Sequence, residues 1–237
     1  MKIFGINYKI TATLIIGIIL LLLTISFLVW FNKTNDVKLL SLLGSLVAGF
    51  IIALIQFTIA LQENMQIEKL KELELIKVMY DRDDRIFYEK YIDKAKHEIF
   101  VMGVTAIRFF YDFADYEPSA TKNAKVLLYK LDQGINVKIL LPKSEFLEKE
   151  SKKNDLDKVK QHIESIKRRF PEYKLEVKYF EHIPSHSIFM VDDTCIVGPV
   201  FLNVESKYTP ALHLRKSSPL AIKYIAYFND EWKSAHE

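Results

Sequence analysis

Two long uncharged runs near the N-terminus constrain this chain more than any other feature. Residues 10–31 give 22 consecutive positions without a formal charge, and residues 39–61 give another 23. As helices they would rise about 33 Å and about 35 Å, enough to cross a hydrocarbon core of about 30 Å. Residues 32–38 between them suffice only for a tight external turn, so the expected arrangement is a two-helix hairpin in a bilayer. A cleaved signal peptide fits less well, because its apolar region is usually about 7–15 residues long and no Ala-x-Ala-like site follows here.

Positive charge near the membrane ends sets the expected orientation. Lys2 and Lys9 precede the first span and Lys69, Lys71 and Lys77 follow the second, while the turn holds Lys33 and Lys38. This bias favours both termini in the cytoplasm. Tyr8, Trp30 and Phe31 suit interfacial anchoring at the ends of the first span. Neither span contains Asp, Glu, Lys, Arg or His, so an ion relay or transport path has no intramembrane charge to use. Ser41, Ser45, Gly49 and Ala53 recur every four residues along the second span, with Gly44 and Ala48 beside them. Such a face lets helices approach closely, either within the hairpin or between copies in a homo-oligomer.

Beyond the spans the chain becomes charged, and the overall net charge of +3 does not by itself point to a nucleic acid or an anionic surface. The single cysteine, Cys195, cannot form an intramolecular disulfide and reads as a buried strand residue. Ile67, Leu70, Leu73, Ile76 and Met79 recur at three-residue intervals, with no glycine or proline between Gly49 and Gly103. That spacing predicts a connecting helix over residues 62–83, running to about Tyr80, between a hairpin at 1–61 and a cytosolic domain at 84–237. Asp81, Asp83 and Asp84 offer capping oxygens for a new helix.

Periodicity then predicts helices over 85–98, 123–132, 155–170 and 219–232. It predicts strands over 99–104, 137–141, 174–180, 187–191, 194–197 and 211–215. The expected fold class is α/β: a transmembrane hairpin plus one mixed-sheet domain with helices on both faces.

The segment from Pro184 through His186, Asp192, Asp193 and Gly198 resembles the active-site strand pair of the phospholipase D superfamily. In that family a His-x-Lys-x4-Asp motif is followed by a short strand and a glycine-containing turn. His186 and Asp193 stand seven apart as in the motif, and about residues 84–233 resemble one half of the family's fold. The resemblance implies that His186 would be a nucleophile toward phosphorus and that a neighbouring lysine would neutralise the phosphate oxygens. Ile188 occupies that lysine position, Gly198-Pro199 stands where Gly-Ser is usual, and the chain offers one motif where active members pair two. The domain therefore reads as catalytically degenerate, with no catalytic residue assigned; if it were active, His186 and Asp193 would carry the chemistry.

Ser185, His186 and Ser187 remain candidates for contacting a phosphate or nucleotide through neutral hydrogen bonds. His182 and His186 have a His-x3-His spacing, but Pro184 between them argues against a helical metal site, and no metal or cofactor is expected. Asp192 and Asp193 read as turn residues. Lys167, Arg168 and Arg169 form a basic cluster that reads as a solvated helix face or as a phosphate or nucleic-acid contact.

The expected function is a membrane-anchored sensor-effector in which the degenerate domain controls the hairpin. Its architecture is similar to bacterial antiphage membrane effectors that permeabilise the inner membrane, which implies the inner membrane as the location of this chain. That similarity makes a cyclic nucleotide, a nucleic acid or a defence-system protein the expected partner, beside the lipid bilayer. The alternatives are a membrane-tethered phosphodiesterase, a nuclease or phospholipase active as a dimer, and a membrane scaffold.

Overall fold

The computed structural model describes residues 2–3, 6–201 and 203–236, with side chains described from residue 15 onward except at 69, 70 and 202. The side chains of Lys2, Tyr8, Lys9 and Lys69, on which part of the orientation argument rests, lie outside the described residues. Two compact units divide the chain, Met1–Leu70 and Lys71–Glu237.

The first unit begins with a two-residue pairing of β1 (Lys2–Ile3) with β2 (Ile6–Asn7). Helices α1 (Tyr8–Lys33) and α2 (Val37–Glu72) follow, and both are long and apolar enough to cross a membrane. Asp36 supports the start of α2 by accepting from Lys38 N at 2.9 Å. The hydroxyls within the apolar stretches bond to their own helix, Thr24 to the Leu20 carbonyl at 2.7 Å and Thr58 to the Leu54 carbonyl at 2.8 Å. Internal satisfaction of this kind is what a lipid surrounding requires. The helices meet where Phe27 stacks on Phe50, with Leu43 buried beside this seam. A Cβ added at Gly17 would stand 2.6 Å from the Phe57 ring, so this glycine permits the close approach of α1 to α2.

The second unit is a seven-stranded mixed sheet. Its strands are β3 (Leu75–Met79), β4 (Glu98–Met102), β5 (Asn136–Pro142), β6 (Leu175–Phe180), β7 (His186–Val191), β8 (Thr194–Pro199) and β9 (Ala211–Arg215). Their spatial order is β3-β9-β8-β7-β4-β5-β6. The β4-β5-β6 ladder is parallel and the remaining pairs are antiparallel. Helices α3 (Arg85–Asp93), α4 (Ile107–Phe113), α5 (Val126–Asp132) and α6 (Glu150–Arg169) bury Ile92, Phe110, Leu127 and Leu156 against one face. On the other face α7 (Pro219–Ser234) packs Ala221 and Phe228 over Phe100, Leu140, Ile188 and Met190. The expected α/β class with helices on both faces is what the chain adopts.

The helix expected to reach Tyr80 instead stops at Glu72, and residues 75–79 join the sheet as its edge strand. Glu74 turns the chain with φ of +48°. The tertiary partner decides the outcome: Val78 faces Leu212 and Met79 faces Ala211 across the ladder with β9. The three-residue spacing of apolar positions is equally compatible with this β-branched segment once a sheet edge is available to pair its backbone. Helix α3 starts as expected, with Asp84 accepting from Phe87 N at 2.9 Å. It ends at Asp93 rather than near residue 98: the N–H group of Ala95 closes on the Ile92 carbonyl, and those of Lys96, His97 and Glu98 are taken by the Asp192 carboxylate instead of continuing the helix. Helix α4 was not expected from periodicity; it begins without a side-chain cap at Ala106, whose φ is +53°.

Candidate functional site

Strand β7 carries the sequence motif, and its pleat sends alternate residues to opposite faces of the sheet. Ile188 and Met190 point into the core under α7, whereas Phe189 and Val191 point into the core under α3–α6. The period of two therefore separates His186 from Ser187.

His186 is half-buried on the α7 side. Its ring lies between Tyr224 and Tyr227, both edge-on with centroids 5.4 Å away, and Nδ1 hydrogen-bonds the Ser185 hydroxyl at 2.7 Å. Burial pushes the Tyr227 hydroxyl above its ordinary pKa, and a hydrogen bond with Ser185 partly opposes that rise. Ile188, at the position where the resembled motif has lysine, is 1% exposed in the apolar core under α7. Gly198 faces Ser187 on β8, and a Cβ there would lie 2.6 Å from the Pro210 carbonyl oxygen. This glycine is required by the close backbone approach, whatever its chemical history.

The structure does not bring Asp193 to His186, since His186 opens β7 and Asp193 lies past the strand's other end. Asp193 is exposed in the β7–β8 turn, where its backbone carbonyl accepts from Lys216 N at 2.7 Å. Asp192, with φ of +47°, is the more structural of the pair. Its carboxylate accepts from the backbone N–H groups of Lys96, His97 and Glu98 at 2.7, 2.9 and 3.0 Å. Burial raises its pKa, but these donors and the nearby His97 outweigh burial and hold the carboxyl below its usual range. Both aspartates therefore serve the turn, as the sequence suggests.

The other candidates are dispersed. His182 binds Glu231 through Nε2 at 2.9 Å and the Ile183 carbonyl through Nδ1 at 3.0 Å. Lys167, Arg168 and Arg169 are exposed in the last turn of α6, where cations complement the helix dipole, and the Arg169 guanidinium lies 4.3 Å over the Tyr116 ring. Cys195 is buried in β8, and burial pushes its thiol up to about 11. In the first unit, Ser41, Ser45 and Gly49 are exposed and Ala53 is half-buried. A Cβ added at Gly49 meets nothing within 4 Å, so the small-residue stripe is not the seam between α1 and α2.

Ser187 is the one member of the expected ligand trio that lines a sizeable cavity, of about 330 Å³, on the α3–α4 side of the sheet. Arg82, Tyr88, Gly103, Phe109 and Phe189 line it as well. Sequence reasoning passed over Arg82, whose place between Asp81 and Asp83 resembles an ordinary capping loop; an arginine embedded among carboxylates before an aromatic helix was the available signal.

No family model matches the chain, and no curated protein matches it. Among solved structures, it is similar to TrmBL2, an archaeal chromatin protein, at 17% identity and a TM-score of 0.46, over 80% of this chain and 70% of that one. It is also similar to the phosphatidylserine synthase of Haemophilus influenzae Rd KW20 at 10% identity and a TM-score of 0.41, over 64% of this chain and 37% of that one.

Proposed function

We propose that the chain is a membrane-anchored sensor-effector: a catalytically degenerate phospholipase-D-like domain controls a two-helix membrane segment. One observation carries the reading. Where a phosphoryl-transfer site of that type needs a cation, Ile188 is sealed in the apolar core under α7, while His186 is engaged by Ser185 and two tyrosines. Without a group to neutralise developing phosphate charge, a histidine nucleophile loses the largest stabilising term of such a reaction. The domain is therefore assigned to recognition. Covalent continuity supports a link to the membrane, because only Leu73 and Glu74 separate the end of α2 from edge strand β3.

The assigned output is permeabilisation of the inner membrane by a homo-oligomer, in the manner of antiphage membrane effectors, with both termini cytoplasmic. The open face at Ser41, Ser45 and Gly49 supports contact between copies. Replacing Gly49 by Leu keeps the span apolar and its Cβ meets nothing within 4 Å, so insertion is expected to survive while approach of a second helix is blocked. Uptake of a membrane-impermeant dye, at equal expression, is expected for wild type and for the already bulky control Ile52→Leu, and is lost in Gly49→Leu. Equal uptake by wild type and Gly49→Leu removes the close-packing mechanism. No uptake under any activating condition reduces the hairpin to an anchor and favours the scaffold reading. A C-terminal reporter active only in the periplasm overturns the orientation.

A further inference from the structure

We propose that the cavity on the α3–α4 side of the sheet is a binding site for a small aromatic phosphate or an organic anion of like shape, with Arg82 as its charged anchor. The site supplies a ligand class to the sensing domain and in that sense rests on the sensor reading.

Arg82 is only 8% exposed, yet it forms no ion pair among the described residues. Its acceptors are all neutral: Nε donates to the Ser206 carbonyl at 2.9 Å, and Nη2 donates to the Thr209 hydroxyl and, at 3.4 Å, to the Pro199 carbonyl. Burial lowers its pKa, but a guanidinium stays charged in a protein, so the site holds a desolvated cation without a counterion. An anion in the cavity would supply the missing charge.

The lining as a whole has the same sign. Counting Arg82, six cationic side chains stand against four acidic ones. Arg108, Lys152 and Lys207 are matched by carboxylates: Arg108 by Asp83 and Asp112, Lys152 by Asp155, and Lys207 by Glu205. Arg85 and Lys149 form no ion pair among the described residues, and Arg85 donates only to the Asp112 carbonyl at 3.2 Å. The cationic excess therefore sits on Arg82, Arg85 and Lys149, opposed by Glu148.

The body of the ligand is set by the apolar lining. Tyr88 stacks on Phe189 with centroids 5.6 Å apart, and Phe109 meets the same Phe189 edge-on at 5.6 Å. Burial pushes the Tyr88 hydroxyl up to about 12, so it remains a neutral donor at physiological pH. At Gly103, where β4 ends, an added Cβ meets nothing within 4 Å, so the absence of a side chain there leaves open space beside the cavity. Flat aromatic walls with a few polar groups at one end are the usual makeup of a small-molecule pocket, and about 330 Å³ falls at the lower end of the usual range of roughly 300–1,000 Å³. One ring system with one anionic group matches that size.

Arg82 also links the site to the segment behind the membrane helix. It lies three residues beyond β3, its backbone N donates to the Lys207 carbonyl at 2.7 Å, and its side chain ties the 199–209 loop. Occupancy would bear on the edge strand that follows α2.

The test is calorimetric titration of the purified full-length chain in lipid nanodiscs with naphthyl phosphate, naphthol and inorganic phosphate, using empty nanodiscs as the blank. Saturable one-to-one binding of naphthyl phosphate is expected, at least about tenfold tighter than either fragment. Arg82→Gln should weaken it by about 10–100-fold, as loss of a charge-assisted hydrogen bond does. Because Arg82 also ties loops together, Gly103→Leu provides an independent variant at a lining residue that makes no side-chain hydrogen bond and whose added Cβ meets nothing within 4 Å; bulk placed there should weaken binding by at least about tenfold with the fold retained. No saturable binding at millimolar naphthyl phosphate, phosphate binding as tightly as naphthyl phosphate, or unchanged binding by folded Gly103→Leu would each overturn the proposal. Membrane output is not measured here, so failure of the site and failure of the sensor-effector reading give separate results.

Discussion

The two faces of strand β7 have been put to different uses. On the α7 face, His186, Ile188 and Met190 run from a tyrosine-lined groove into a packed apolar core. On the opposite face, Ser187 and Phe189, with the 1%-exposed Ile188 between them also at its edge, border a cavity whose most buried cation forms no ion pair among the described residues. One residue of displacement along the strand exchanges a sealed surface for an open one. The motif that draws attention in the sequence marks the strand correctly, but the open site is on the other side.

The sharpest way to break this contrast is to place at position 188 the lysine that the resembled motif carries. Ile188→Lys places an unpaired ammonium in the core under α7 and should cost about 3–5 kcal/mol, as an uncompensated buried charge does. For a domain of this size that lowers the unfolding midpoint by roughly 10 °C or more. A stable Ile188→Lys protein with new phosphodiesterase activity would mean that the α7 face is an active site lacking one group.

A smaller effect is expected at the turn shared by both faces. Asp192→Ala removes an acceptor for three backbone N–H groups and leaves a non-glycine residue at φ of +47°, so a loss of at least about 1.5–3 kcal/mol is expected in denaturant unfolding. The Asp192 pKa is depressed in the folded state, so its contribution is present above its unfolded value near 3.8 and is lost as pH falls through the folded value. Wild type and Asp192→Ala should therefore converge in stability at strongly acidic pH. A constant difference between them down to that pH would show that the carboxylate charge is not what holds the turn.

The smallest effect concerns His213, which lies on the cavity side of the sheet edge-on to Phe87 and Tyr91, with Nε2 buried and unpartnered. Burial, and then Lys77 and Lys94, hold its pKa below 6.5. The unfolded chain takes up a proton as pH falls through about 6.5 while the folded chain does so only at lower pH, so stability falls below about 6.5. His182 acts in the opposite sense: burial lowers its pKa, but the Ile183 carbonyl and Glu231 raise it further than burial lowers it. The informative quantity is thus the difference between wild type and His213→Phe. The variant should lose less stability, by about 1 kcal/mol, between pH 7 and pH 5 in urea titrations. Parallel curves would remove His213 from the account.

Much of the fold was legible because it rests on local periodicity. The two apolar helices, the Asp84 cap, the glycine-ended α5 and the strands around Val137 and Ile196 follow from spacing and punctuation alone. Strand β3 was not legible, because Ile76 and Met79 also fit a helical stripe and only pairing with β9 selects the extended form. The site was legible only in part. The resemblance drew attention to His186 and to Ile188 at the motif's lysine position, but neither it nor spacing could show that Ser187 faces a cavity, since that depends on elements from several parts of the chain. Arg82 was hidden for the same reason: its acceptors at Pro199, Ser206 and Thr209 are distant in sequence.

The central claim is that the α7 face performs no phosphoryl transfer, and hydrolysis of a chromogenic phosphodiester by purified full-length protein tests it most directly. Wild type and His186→Ala are expected to show the same background rate, with the variant folded and at most about 0.5–1.5 kcal/mol less stable through loss of its contacts with Tyr224 and Tyr227. A wild-type rate above background that disappears in folded His186→Ala would contradict the account and establish the tethered phosphodiesterase instead.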